Sequence, residues 1–217
     1  IARNAIDLVA KIGGKRDLEL IRRISDDNDG RIRAEAITAM TRLDENEGLM
    51  LAKLRLSDND PQVIDAAVGV VGRLGSREDA MSLVDLFFAE PDLRAGIVRT
   101  LGRLGNEDAE ELLLGATYIR YGGPLGKIFR DDDELRMSAL KALGSVGREK
   151  ARKALRSFAR FNGNPFLRAL FVPLKYRKQS KTMVKIARES LERIEGNLLR
   201  KRKEKVATPE PAGASKE

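Results

Sequence analysis

Pro91-Asp92-Leu93-Arg94-Ala95-Gly96-Ile97-Val98-Arg99-Thr100-Leu101-Gly102-Arg103-Leu104-Gly105 opens on a proline, closes on a glycine and carries apolar residues at 93, 97, 98, 101 and 104. Spacings of three and four place those residues on one stripe of an amphipathic helix. Proline suits the first turn, where its missing N–H is no loss, and glycine suits the position just past the last turn. The phrase recurs along the chain. With Ile1, Ile32, Val63, Leu93 and Leu135 in register, at offsets of 31, 31, 30 and 42 residues, Val9, Met40, Val71, Leu101 and Leu143 form one apolar column. Ile12, Leu43, Leu74, Leu104 and Val146 form another, and Ala5, Ala36, Ala67 and Ala139 a small-residue column that only Ile97 breaks. Each stripe ends at a breaker: Gly13, Asp44, Gly75, Gly105 or Gly147. Asp29-Gly30, Asp60-Pro61, Glu90-Pro91 and Asp132-Asp133 are start signals, in which a carboxylate can accept from free helix N–H groups.

A shorter apolar pattern follows each breaker: Leu18, Ile21 and Ile24; Leu49, Ala52 and Leu56; Ala80, Leu83, Val84 and Phe87; Ala109, Leu112, Leu113 and Ala116; Ala151, Ala154, Leu155 and Phe158. Each unit therefore reads as a helical hairpin. One hairpin cannot bury its own stripe and needs neighbours on both sides, so a period near thirty residues predicts an all-α fold, an α-solenoid of about five stacked hairpins.

The phrases beginning at Asp29, Pro91 and Glu134 resemble bacterial HEAT repeats, including the short HEAT-like class of the phycobilin lyases, over roughly residues 1–160. The resemblance implies a scaffold or adaptor more than any one activity. It also implies that an arginine early in the first helix ties neighbouring hairpins through an acidic turn. Arg33, Arg94 and Arg136 match that position, whereas Ile64 departs from it and implies apolar packing there. The first repeat starts inside its first helix at Ile1, which suggests further solenoid ahead of it.

Composition narrows the chemistry. Hydrophobic residues make up 42% but aromatics only 5%, with no Trp, so the core must be built from Leu, Ile, Val and Ala. No Cys and no His are present, which removes disulfides, thiolate nucleophiles, the commonest general base and the commonest metal ligands. No catalytic, metal or cofactor site is expected, and the chain is read as no enzyme. HEAT-like DNA glycosylases share a basic groove, but they need an acidic residue beside aromatics that usually include Trp. Here the acids Glu107, Asp108, Glu110 and Glu111 lie far in sequence from the aromatic cluster. No stretch approaches the roughly 20 apolar residues of a membrane span, and the lack of Cys fits the cytoplasm.

The 42-residue offset leaves an insertion at about 119–131. Its Gly122, Gly123, Gly126 and Lys127 invite a phosphate-loop reading that fails on spacing, since Tyr121 stands where the first glycine is needed and Ile128 replaces the hydroxyl. A binding or structural loop carrying Arg120, Tyr121 and Lys127 is expected instead. Residues 1–160 read as the repeat array. Residues 161–206 read as a basic cap, with a turn at Asn162-Gly163-Asn164-Pro165 and a capping helix from about Gln179 to Val206 whose face carries Met183, Ala187, Leu191, Ile194 and Leu198. Residues 207–217 have nothing to bury and are expected to be disordered.

Charge is the one functional clue. The net charge is +8, yet residues 1–147 hold 21 basic and 26 acidic side chains, while residues 148–206 hold 19 basic and 5 acidic ones. Such polarity speaks about partners rather than fold. On the fifth hairpin Arg152, Lys153, Arg156 and Arg160 oppose the apolar stripe, and Lys175, Arg177, Lys178, Lys181 and Lys185 extend the field. In HEAT stacks the second helices line the concave side, which implies that these cations face a groove. Five of the ten Phe and Tyr residues lie between 158 and 176, where they plug the end of the stack or, less simply, stack on bases. The expected function is a non-catalytic scaffold, a component of a larger assembly, that docks a protein partner on its concave face and sets its basic third against an acidic surface. Nucleic acid bound through its phosphates is the alternative.

Overall fold

A computed structural model describes residues 2–117, 133–163 and 177–207, and among these every regular element is helical, with no strand. Among the described residues there are eleven α-helices. They are α1 (Ala2–Ile12), α2 (Leu18–Ile24), α3 (Gly30–Leu43), α4 (Glu45–Arg55), α5 (Pro61–Leu74), α6 (Ala80–Ala89), α7 (Arg94–Leu104), α8 (Glu110–Thr117), α9 (Asp133–Val146), α10 (Glu149–Gly163) and α11 (Arg177–Ala207). The expected insertion at 119–131, with Arg120, Tyr121 and Lys127, lies outside the described residues, as do Lys175 and the tail from 208.

Local chemistry sets the helix ends. Asp29 and Asp60 cap α3 and α5, their side chains accepting from the backbone N–H of Arg31 (2.9 Å) and Gln62 (2.8 Å). Asp44, which breaks the second stripe, also starts α4 by accepting from Asn46 (3.0 Å) and Glu47 (3.2 Å). Glu90 differs from expectation: its side chain makes no capping hydrogen bond, and Pro91 opens a 3₁₀ turn ahead of α7. The glycine breakers do not share one cause. Gly105 is left-handed (φ 68°), whereas Gly75 is extended, and a Cβ there would run into the carbonyl oxygen of Val71. The turn read at Asn162-Gly163 is instead the last turn of α10, and α11 continues through Ala207.

The long helices pack in chain order: α1 on α3, α3 on α5, α5 on α7, α7 on α9 and α9 on α11. Each short helix, α2, α4, α6, α8 and α10, packs on the long helix that follows it. Ile21, Ala52, Leu83, Leu113 and Leu155 hold one position on successive short helices, and all five are fully buried. One apolar cluster extends from Ile6 to Ile194. Small residues set the spacing of the long helices. A Cβ on Gly102 would lie 2.7 Å from that of Ala142 on α9, and one on Gly72 or Gly144 would meet Thr100 or Ser190 in the same way. Gly72, Gly102 and Gly144 occupy one column of the repeat, and Thr100 and Ala142 another.

Ser190 therefore stands where a further repeat would place it. With Met183 in the column of Leu135, Ala187 falls under Ala139 and Ile194 under Val146, and Met183, Ala187 and Ile194 are all buried. The expected capping helix is thus, over its first half, one more long helix in register, and it runs on past Ile194 to Ala207. The register is hidden in the sequence because the offset from Leu135 to Met183 exceeds every other one in the series.

Arg33 makes the arginine tie expected of it. Its guanidinium donates to both carboxylate oxygens of Asp58 (3.0 and 2.6 Å) and to the carbonyls of Asp27 (2.8 Å) and Asn28 (3.1 Å), linking the turns before α3 and α5. Arg94 donates to the Phe87 carbonyl (3.0 Å) and lies over its ring, and Arg136 pairs with Asp133 (3.4 Å) on its own helix; the turns to which their ties would run, 118–132 and 164–176, lie outside the described residues. Ile64 is buried, as its departure from the pattern implied.

Arg33→Ala removes the two-pronged partner of Asp58 and leaves its carboxylate the longer contact to Arg55 (3.8 Å), and chemical denaturation at neutral pH is expected to show a loss of about 1–3 kcal/mol. Hydrogen bonding from Arg33 holds the Asp58 carboxyl below the usual carboxylate range. A depressed folded value contributes its stability fully above the unfolded value, about 3.9, and loses it as pH falls through the folded one. The gap between Arg33→Ala and the parent is therefore expected to narrow below about pH 4. At the helix contacts, Gly102→Val should cost about 1–3 kcal/mol by overpacking. Gly69→Ala, whose new Cβ meets nothing within 4 Å, should add about 0.5–1 kcal/mol of helix stability. Melting of the three variants checks this contrast.

Candidate partner-binding surface

The short helices present an outer row as regular as their buried one. Counting six residues past each breaker gives Glu19, Met50, Met81, Glu111 and Lys153, all exposed. Exposed side chains at this period are expected to be polar, yet Met50 is 67% and Met81 56% exposed. Leu54, one turn beyond Met50, and Phe88, two turns beyond Met81, are exposed as well. Two consecutive short helices thus expose four large apolar side chains, of the kind that binding surfaces favour.

Between α4 and α6 lies an open cleft of about 490 Å³ with an apolar floor of Leu56, Ile64 and Leu86. Lys53 and Asp79 pair across it at 2.6 Å, and Asp85 and Glu90 add negative charge at its wall. Ser57 and Ser82 line it, but with no His in the chain neither has an imidazole base to activate it. Among the described residues, no group of three or more carboxylates is placed to hold a metal ion.

The basic face is less free than the sequence implied. Arg152 is half-buried, pairs with Glu149 (2.7 Å) and leaves its Nε buried without a hydrogen-bond partner. That contact holds the Glu149 carboxyl below the usual range and raises the guanidinium value. Arg156 reaches across to Glu195 on α11 (2.5 Å), so it ties two helices together. Lys153 and Lys185 stand 4.0 Å from Glu149 and Glu189 on their own helices and remain well exposed. Arg160 and Lys181 are exposed and make no ion pair among the described residues. Arg177 and Lys178 belong to the first turn of α11. Arg188 and Arg193, which the sequence reading did not single out, are exposed on the same helix.

The acidic residues of the fourth hairpin explain how α10 is held. Glu110 Oε1 accepts from the backbone N–H of Arg148 (2.8 Å) and of Ala151 (2.9 Å), capping α10 from a different hairpin. Glu107 pairs with Arg148 and Glu111 with Lys150. Only proximity in space reveals this: the carboxylate lies 38 residues ahead of the first N–H that it caps.

No family model matches this chain, and no curated protein matches it at significant similarity. Among the described residues, no helix is long and apolar enough to cross a membrane.

Glu110→Ala strands two N–H groups at the start of the helix that carries the cations. A loss of about 1–3 kcal/mol is expected by thermal or chemical denaturation. Arg156→Ala, which removes an exposed pair, should change stability by less than about 1 kcal/mol.

Proposed function

We propose that the chain is an α-solenoid of the HEAT type acting as a non-catalytic scaffold. It docks a protein partner along the outer row of its short helices and sets its basic C-terminal third against an acidic surface. The observation that carries this reading is the single exposed row that begins at Glu19, is apolar at Met50 and Met81, turns acidic at Glu111 and ends in a cation at Lys153, whose side chain is 76% exposed. A partner lying along that row would bury Met50 and Met81, where binding energy concentrates, and would gain orientation from the charge at the end. The packing of each long helix on the next supports the solenoid, because it lets equivalent side chains recur at the period of the repeat.

Arg152 and Arg156 are poor positions for a test, since each has an internal partner. Reversal of the well-exposed Lys153, Arg160, Lys181 and Lys185 to Glu, and separately Met50→Ser with Met81→Ser, should leave the fold unchanged and reduce recovery of co-purifying proteins at least about tenfold. Unchanged recovery with both sets would remove the row from the mechanism. Binding of generic DNA or RNA with a steep logarithmic salt slope, abolished by the four reversals, would favour the phosphate-binding alternative instead.

A further inference from the structure

In the column that holds Arg33, Arg94 and Arg136, α5 carries Ile64, and Ile64 belongs to the floor of the cleft between α4 and α6. One repeat earlier the same place is bridged. Arg33 takes the carbonyls of Asp27 and Asn28 on one side and the Asp58 carboxylate on the other. Advanced by 31 residues, Asp58 and Asn59 stand for Asp27 and Asn28, and Ile64 stands for the arginine. The turn before α7 then stands for the turn before α5. Those two turns border the cleft, at Ser57 and Asp58 on one side and at Ala89 and Glu90 on the other. Ile64 is buried and has no donor to offer either turn. The Asp58 carbonyl, counterpart of the Asp27 carbonyl, accepts no hydrogen bond among the described residues. The charge left over in the cleft is negative. Asp58 is engaged by Arg33 and Asp79 by Lys53, but Asp85 and Glu90 make no ion pair among the described residues. Both stand toward the carboxyl end of α6, where the helix's own carbonyls add partial negative charge and the last turn has no basic side chain. From α7, Arg94 answers the Phe87 carbonyl there.

We propose that this cleft receives an arginine side chain from the docked partner, which supplies in trans the guanidinium that Arg33 supplies in cis one repeat earlier. The arginine's stem lies on the apolar floor of Leu56, Ile64 and Leu86, and its head meets Asp85, Glu90 and the turn carbonyls. A guanidinium suits this set because its rigid fork of five donors can serve two carboxylates and a carbonyl at once, whereas an ammonium is a point charge with three donors. The inference rests on the scaffold reading and deepens it, since the cleft opens between two of the short helices along which the partner lies. It assigns an arginine to the segment of the partner that crosses α4 and α6.

Backbone-amide NMR of the full chain, titrated at low salt with a capped pentapeptide that carries one arginine between two leucines, tests it. Saturable shifts are expected at Leu56, Ser57 and Asp58 and at Leu86, Ala89 and Glu90. The same peptide with citrulline, which keeps the shape and loses the charge, should bind at least about tenfold more weakly. Asp85→Asn with Glu90→Gln should weaken the arginine peptide by at least about tenfold. Glu45→Gln with Asp65→Asn removes as much charge from exposed positions outside the cleft and should change binding by less than about twofold. The proposal fails if the peptide causes no saturable shift, if citrulline binds as well as arginine, or if the two acid pairs weaken binding equally. Loss of co-purifying proteins on Met50→Ser with Met81→Ser would then still uphold the scaffold reading. Peptide binding as expected, with recovery unchanged in those methionine variants, would uphold the cleft and remove the outer row.

Discussion

The distance between successive long helices decides everything else in this molecule. Gly72, Gly102 and Gly144 let α5, α7 and α9 each come so close to the next long helix that a single added methyl would have no room. That approach seals the apolar columns on both sides, because Leu, Ile and Val at i, i+4 and i+8 can reach a neighbour only if the backbones are near. A core without Trp and with few aromatics must be thin, and a thin core is continuous only when its layers are close. Within one hairpin a glycine does the same for a short helix: Thr41 on α3 lies against the backbone of Gly48 on α4.

Charge performs two different tasks along the chain. Near the middle it is structural: Arg33 with Asp58 joins two turns, Lys53 with Asp79 joins two hairpins, and Glu110 caps a helix that belongs to the following hairpin. Toward the end a surplus of cations remains after these duties are met, on α10 and along α11. The surplus is smaller than a count of side chains implies, because Arg152 and Arg156 are engaged internally. The exposed cations that remain are Lys153, Arg160, Lys181 and Lys185, together with Arg188 and Arg193.

Much of this was legible in the sequence, for a reason that also sets its limit. Helix periodicity and breakers are local, so the hairpins from Ile6 to Phe158 could be read from spacing alone, and the buried columns follow that reading. Contacts between hairpins are not local. Nothing in the neighbourhood of Glu110 announces that it caps α10, and nothing around Arg94 announces that it donates to the Phe87 carbonyl and lies over that ring. The register of Met183, Ala187 and Ile194 was present in the sequence yet hidden by an unusual offset. For the candidate surface, the row of Met50, Met81 and Lys153 could have been found by continuing the column count into the short helices. Which of the cations were free could not, because that depends on Glu195 approaching Arg156 from another helix.

A scaffold of this kind needs its hairpins stacked one upon another in chain order rather than gathered around a common centre. Small-angle X-ray scattering of the intact chain tests this most directly. A compact domain of this length has a radius of gyration of about 17 Å. Stacking predicts a value clearly above that, with a skewed distance distribution that tails to long vectors. A radius matching the compact figure, with a symmetric distribution, would contradict it.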